Sequence, residues 1–196
     1  MIKREQAVAL LEWANAQNPG SWRAHSYGVA RAAEVIARAC SLDAERAWVS
    51  GLLHDIGRYE GAYGLRHIFT GHQLMQDRGA PMIARICLTH SFPLPHPDAY
   101  IGTRDATDAD EALLADILQT PMDDYDRLIQ LCDGLSWGDG VCLMEKRIVD
   151  VIRRHGVPPP LQHTVNARFE ILADFERRME HSVYDLFPEA AENTFA

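Results

Sequence analysis

Nine histidines and an excess of carboxylates make metal binding the first chemistry to consider in this chain. His54 and Asp55 are adjacent in the apolar stretch Gly51-Leu52-Leu53-His54-Asp55-Ile56-Gly57. Burying an imidazole and a carboxylate without partners is costly, and a divalent cation relieves both at once. Neighbouring residues on a helix point about 100° apart. The pair can therefore reach one ion only beside a helix flank, most easily in a final turn loosened by Gly57. Taken alone, the dipeptide is a weak signal and fits an incidental pair at a solvent-facing helix end better. His25, early in a long helix, and Asp133, set between Leu131-Cys132 and Leu135, complete a more informative set. Two imidazoles with two carboxylates suit Fe, Mn, Zn, Co or Mg rather than Cu(I). His67 opens one helical segment and His90 closes another, which gives enough donors for two ions about 3.5–4 Å apart. His72 competes with His67, but five residues turn a helix by about 140° beyond one full turn, so the two do not share a face. His67 is the preferred choice.

The elements that must position these residues are helical almost throughout. Residues 3–17 put Ala7, Leu10, Leu11 and Ala14 on one stripe before Asn18-Pro19-Gly20 breaks the helix. Ser21 is the expected cap of a second helix, whose small residues Ala32, Ala33 and Ala39 allow close approach by a neighbour. Ser41 or Asp43 caps a third helix, which Gly57 ends. A glycine-punctuated loop over 57–64 leads to helices at about 66–78 and 81–90 and then to a proline-rich stretch. Residues 97–108 read as an exposed acidic loop, followed by helices near 109–119, 123–136, 141–155 and 162–180. No β-hairpin signal, repeat or low-complexity tract stands out. The expectation is an all-α, single-domain bundle over 1–196, its central part at about 20–140, flanked by an N-terminal helix and a C-terminal helical extension.

The order His25 … His54-Asp55 … Asp133, with His-Ser-Tyr-Gly-Val-Ala-Arg-Ala-Ala from His25 and Gly-Leu-Leu-His-Asp-Ile-Gly from Gly51, resembles the HD superfamily of metal-dependent phosphohydrolases. That resemblance implies that His25, His54, Asp55 and Asp133 bind one metal, and that His67 and His90 match the extra histidines of two-metal members. It further implies an enzyme cleaving a phosphorylated small molecule, a nucleotide above all, with water activated by one or two divalent ions. After His90 the chain reads Ser91-Phe92-Pro93, which departs from the second histidine and Gly-Tyr-Pro of the HD-GYP branch. The residues after Asp133 also differ from those usual in the tetraphosphate hydrolases. Asp55 is the expected bridge between ions and the group that orients water. Arg58 could hold a phosphate bidentately or be a solvated arginine at a helix C-terminus. Arg66 is a weaker candidate of the same kind.

The remaining titratable and aromatic residues read more plainly. Glu145-Lys146-Arg147 is expected to be a solvated face. His155, His163 and His181 are expected to be structural or surface residues, and His96 an exposed or proton-donating loop residue. Trp22, Trp48 and Trp137 are read as core rather than as base-stacking platforms. A net charge of −9 offers no footprint for duplex nucleic acid or an anionic membrane. No run reaches the roughly 20 apolar residues of a membrane span, and the start lacks the apolar core of a secretory leader. Cys40, Cys87, Cys132 and Cys142 are scattered in apolar segments, as expected of reduced thiols in a cytoplasmic protein. A non-catalytic HD module that senses a nucleotide is the rival to the hydrolase.

Overall fold

The helical periodicity is realised as an all-α architecture in a computed structural model that describes residues 2–61 and 64–195. The helices are α1 (Arg4–Gln17), α2 (Trp22–Ala39), α3 (Ala44–Leu53), α4 (Arg66–Asp77), α5 (Pro81–Thr89), α6 (Asp108–Gln119) and α7 (Asp124–Leu135). They are followed by α8 (Met144–His155), α9 (Leu161–Met179) and α10 (Ala190–Phe195). None of the described helices is long and apolar enough to cross a membrane.

Small residues set the central contact. A Cβ on Gly51 of α3 would lie 2.8 Å from the Ala30 Cα of α2, so these two backbones touch as the alanine-rich face requires. Around α2, one core joins Val29, Ala33 and Ile36 to Ile129 and Cys132 of α7 and Phe175 of α9. A second core joins Leu11 of α1 to Trp48, Leu52, Leu53 and Ile56. Leu52, Leu53 and Ile56 are wholly buried. Each contributes roughly 1.5–3 kcal/mol by leaving water, enough to draw the intervening His54-Asp55 pair inside. A third cluster, Leu65, Ile68, Phe92 and Leu114, ties α4 to α6.

Several expectations are corrected by tertiary context. The third helix stops at Leu53 rather than at Gly57, and a 3-10 turn runs from Ile56 to Glu60 where the glycine loop was expected. Ala62 and Tyr63 of that loop lie outside the described residues. Gly57 does not terminate a helix. A Cβ there would overlap the His67 carbonyl oxygen and the Gly71 amide nitrogen, so its role is to let this turn lie directly on α4. Ser21 is already helical and its hydroxyl caps nothing among the described residues, whereas Asp43 accepts the Arg46 amide at 3.0 Å. The segment 97–108 is not simply exposed. Ala99 is buried, and Asp105 accepts the amides of Gly64 and Arg66 at 2.8 Å each, capping α4 from a distance. A short hairpin pairs β1 (Ser136–Trp137) with β2 (Gly140–Val141) through Gly138 at φ +57°. Two-residue strands carry no alternating pattern, which is why periodicity misses them. A 3-10 turn at Val183–Leu186 and α10 extend the helical part past residue 180.

A buried polar network fixes α5 against α7. Asp126 is fully buried and receives Arg85 Nε at 2.9 Å and the Thr89 hydroxyl at 2.7 Å. Gln130 Nε2 donates to the Thr89 and Phe92 carbonyls, which flank His90. Because the clash at Gly57 is with backbone, Gly57→Ala should cost about 3 kcal/mol or more. The result would be a lowered Tm in thermal unfolding, whereas Gly79→Ala meets no neighbouring atom and carries only the strain of its positive φ.

Candidate metal centre

Six side chains from five helices and one turn come together, five of them lining a cleft of about 920 Å³ and His54 buried beside them. His54 ends α3 and Asp55 follows it in non-helical backbone at φ −103°, ψ 13°. That break lets adjacent residues share a centre, which a continuous helix would prevent. His67 stands in the first turn of α4, His90 at the end of α5, His25 in α2 and Asp133 in α7.

The distances are those of a donor cluster. His67 Nε2 is 3.1 Å and His90 Nε2 3.5 Å from Asp55 Oδ1, and His54 Nε2 is 3.8 Å from Asp55 Oδ2. His25 Nε2 lies 2.9 Å from Asp133 Oδ1. Two groups have donor atoms all within 4.8 Å of one another: His25, His54 and Asp133, and His54, Asp55 and His90. They share His54, so the donors form one continuous set.

Backbone carbonyls fix the tautomers. His54 Nδ1 faces the Gly51 carbonyl at 2.7 Å, His90 Nδ1 the Cys87 carbonyl at 2.9 Å, and His67 Nδ1 the Gly64 carbonyl. A carbonyl can only accept, so Nδ1 carries the hydrogen and Nε2 turns a lone pair to the centre. This is the arrangement that orients an imidazole toward a cation. His54 Nε2 and Asp55 Oδ1 are buried without a hydrogen-bond partner among the described residues. Unpartnered polar atoms of this kind are costly, and a divalent cation between them would offset the cost. Nitrogen and carboxylate donors in this ratio fit a hard-to-borderline divalent ion.

Electrostatics keep the set in ligand form. Burial pushes His54 down, and burial reinforced by the His54 ring pushes His90 down to about 3. For Asp55, burial acts upward but is overcome by Arg58, whose Nε sits 2.7 Å from Oδ2, so the carboxyl is held well below its usual range. Asp133 is held low in the same way, burial being outweighed by the hydrogen bond from His25. His54 and His90 are thereby kept neutral, and Asp55 and Asp133 charged.

Arg58 is neither freely solvated nor unattached. It is clamped to Asp55, approaches His67 Nε2 with Nη2 at 3.5 Å, and lines the cleft. His72 faces away, with Nδ1 on the Ala84 carbonyl at 3.1 Å. Arg66 pairs with Glu60 at 3.3 Å, and His96 is exposed beside Asp98. His163 and His181 are exposed, whereas His155 stands at the cleft rim. Trp48 is core, and Trp22 is buried with its indole N–H on the Asn18 carbonyl.

Other cleft residues escaped sequence reasoning. Trp137 is half-buried on the cleft wall rather than in the core, and Arg147 lines the cleft instead of a solvated face. Lys146 turns to the Asn193 and Thr194 carbonyls, and its Nζ lies 4.8 Å from the Trp137 ring. Arg168 and Tyr100 also line the cleft. A signal for Arg168 existed, since it interrupts the apolar stripe Leu161, Thr164, Ile171, Leu172 and Phe175 of α9.

A family model described as HD domain matches residues 22–138, which run from α2 to the hairpin and contain all six side chains. Comparison with curated proteins and with solved structures gives no match.

The buried rings make stability depend on pH when metal is removed. His90 and His54 bind protons more weakly in the folded chain than at the ordinary 6.5, so the unfolded chain takes them up first as pH falls. Chelator-treated protein should be most stable above about pH 6.5 and lose stability progressively toward pH 3. His90→Gln should flatten that decline when Tm is followed against pH.

Proposed function

The chain belongs to the HD domain family, and from that premise we propose that it is a metal-dependent phosphohydrolase. Its substrate would be a nucleotide-like small molecule carrying a phosphoester or phosphoanhydride. The observation that carries this reading is the pair of buried donor atoms, unpartnered among the described residues, on His54 and on Asp55, the latter lining an open cleft. His25, His54, Asp55, His67, His90 and Asp133 would hold one or two divalent ions, with Fe, Mn, Co, Zn and Mg all compatible. A bound divalent cation supplies Lewis acidity, neutralising charge on phosphoryl oxygens and making water acidic enough to attack at neutral pH.

The chain's own residues supply position and charge. His54, His67 and His90 would present Nε2 to the ion, in ring directions that the Gly51, Gly64 and Cys87 carbonyls hold. Asp55 stays ionised and, through Oδ2, keeps the Arg58 guanidinium aimed along the cleft floor. Arg58 would then meet a phosphoryl oxygen with its remaining N–H groups, a charge-assisted contact of the strong class. The wall around Tyr100 and Trp137 restricts water and admits a small molecule. A net charge of −9 suits such a substrate better than duplex nucleic acid. The four unpaired cysteines, three of them buried, fit a reducing cytoplasmic setting.

Purified protein supplied with Mn²⁺, Fe²⁺ or Co²⁺ should release phosphate or a shorter nucleotide from a nucleotide panel. His54→Ala and Asp55→Ala should each lose metal by plasma mass spectrometry. Activity should fall by more than about 100-fold, beyond the loss typical of a supporting partner. Full activity in either variant would contradict these roles. Thermal stabilisation by a nucleotide without any turnover would favour a sensor over an enzyme.

A further inference from the structure

We propose that Arg147 of α8 and Arg168 of α9 form a second anion-binding subsite in the cleft, which takes a phosphate of the substrate other than the one attacked. Both residues lie beyond residue 138, outside the stretch matched by the family model, yet both line the same cleft as Asp55 and Asp133. The substrate class is thereby narrowed to molecules with at least two phosphate groups, a step that rests on the phosphohydrolase reading above.

The geometry is that of two guanidinium groups held in place with spare donors. Arg168 lies on Gly134, the residue after Asp133. A Cβ at Gly134 would stand 2.9 Å from Arg168 Nη1, so the glycine makes room for the guanidinium against α7. Its one hydrogen bond among the described residues is a long one, from Nη1 to the Gln130 carbonyl at 3.3 Å. It is not the hydrogen-bond partner of Asp133, whose carboxylate takes His25 instead. Arg147 Nε is buried with no hydrogen-bond partner among the described residues, and Nη1 reaches Asp150 at 3.3 Å. Asp150 is held more tightly by Arg154, at 3.0 Å from Nε and 2.6 Å from Nη2, and so only partly satisfies Arg147.

Charge supports the same assignment. Burial lowers Arg168 from its ordinary value, Asp133 opposes that, and the like charge of Arg147 adds to it. Two arginines that feel one another in a half-buried wall, with donors left over, are stabilised by an anion placed between them. Guanidinium forks match phosphate oxygens in geometry as well as in sign.

Calorimetric titration of the full chain saturated with Mn²⁺ tests this, using AMP and α,β-methylene-ADP as probes. The methylene analogue carries a second phosphate that cannot be split from the first by hydrolysis. It should bind at least about tenfold more tightly than AMP. Arg147→Gln and Arg168→Gln should each remove most of that preference while leaving AMP affinity within about twofold. Arg168→Lys, checked by circular dichroism, separates loss of the guanidinium fork from loss of fold, and Arg147→Gln on the less buried α8 gives an independent reading. Equal affinities in the unaltered chain, a preference that survives both Gln variants, or failure of either nucleotide to bind a chain that holds Mn²⁺ would overturn the subsite alone. A chain that binds no Mn²⁺ would overturn the phosphohydrolase reading and the subsite with it.

Discussion

Leu52, Leu53 and Ile56 pull His54 and Asp55 out of water, and much of the surrounding structure compensates for the desolvation that follows. Arg58 meets one oxygen of Asp55, three carbonyls meet the Nδ1 atoms of His54, His67 and His90, and His25 meets Asp133. Among the described residues, two of the four buried polar side-chain atoms left unmet, His54 Nε2 and Asp55 Oδ1, belong to this adjacent pair. Two unmet atoms on neighbouring residues are what a bound cation would satisfy.

Holding that arrangement demands rigid neighbours. Gly57 brings the turn after Asp55 onto α4 so closely that no side chain fits, which sets the reach of His67. The Asp126 network clamps the end of α5 to α7, so His90 and Asp133 are positioned by one shared set of hydrogen bonds. Asp105 restrains the start of α4 from the far side. Each brace acts on backbone rather than on the donors themselves. The braces therefore add no contact of their own at the donor tips.

Much of this was legible before any coordinates. Polar residues embedded in apolar runs marked His54, Asp55 and Asp133, and helical periodicity marked most of the bundle. Other features were hidden because they are set by contacts distant in sequence. The stop of α3 at Leu53 leaves no mark in the periodicity, and Gly57 reads as punctuation although its role is close approach to α4. Arg147 read as part of a charged face because α8 alone does not reveal that a cleft lies beside it. Arg168 broke an apolar stripe, a visible anomaly whose meaning required the position of Gly134. Trp137 was assigned to the core, since a two-residue strand leaves no periodic trace of the hairpin that lifts it to the wall.

The three Nδ1 anchors have a consequence for how such a centre can vary. His54 is tethered to the carbonyl of Gly51, His67 to that of Gly64 and His90 to that of Cys87, in each case three residues back along its own chain segment. Ring direction is thus inherited from local backbone, while the gaps between rings are inherited from how the helices stack. Substitutions in the hydrophobic interior can widen or narrow the coordination sphere without turning any imidazole away from it. Preference for a larger or smaller ion would then be tuned by interior residue volume, at positions that never touch the ion.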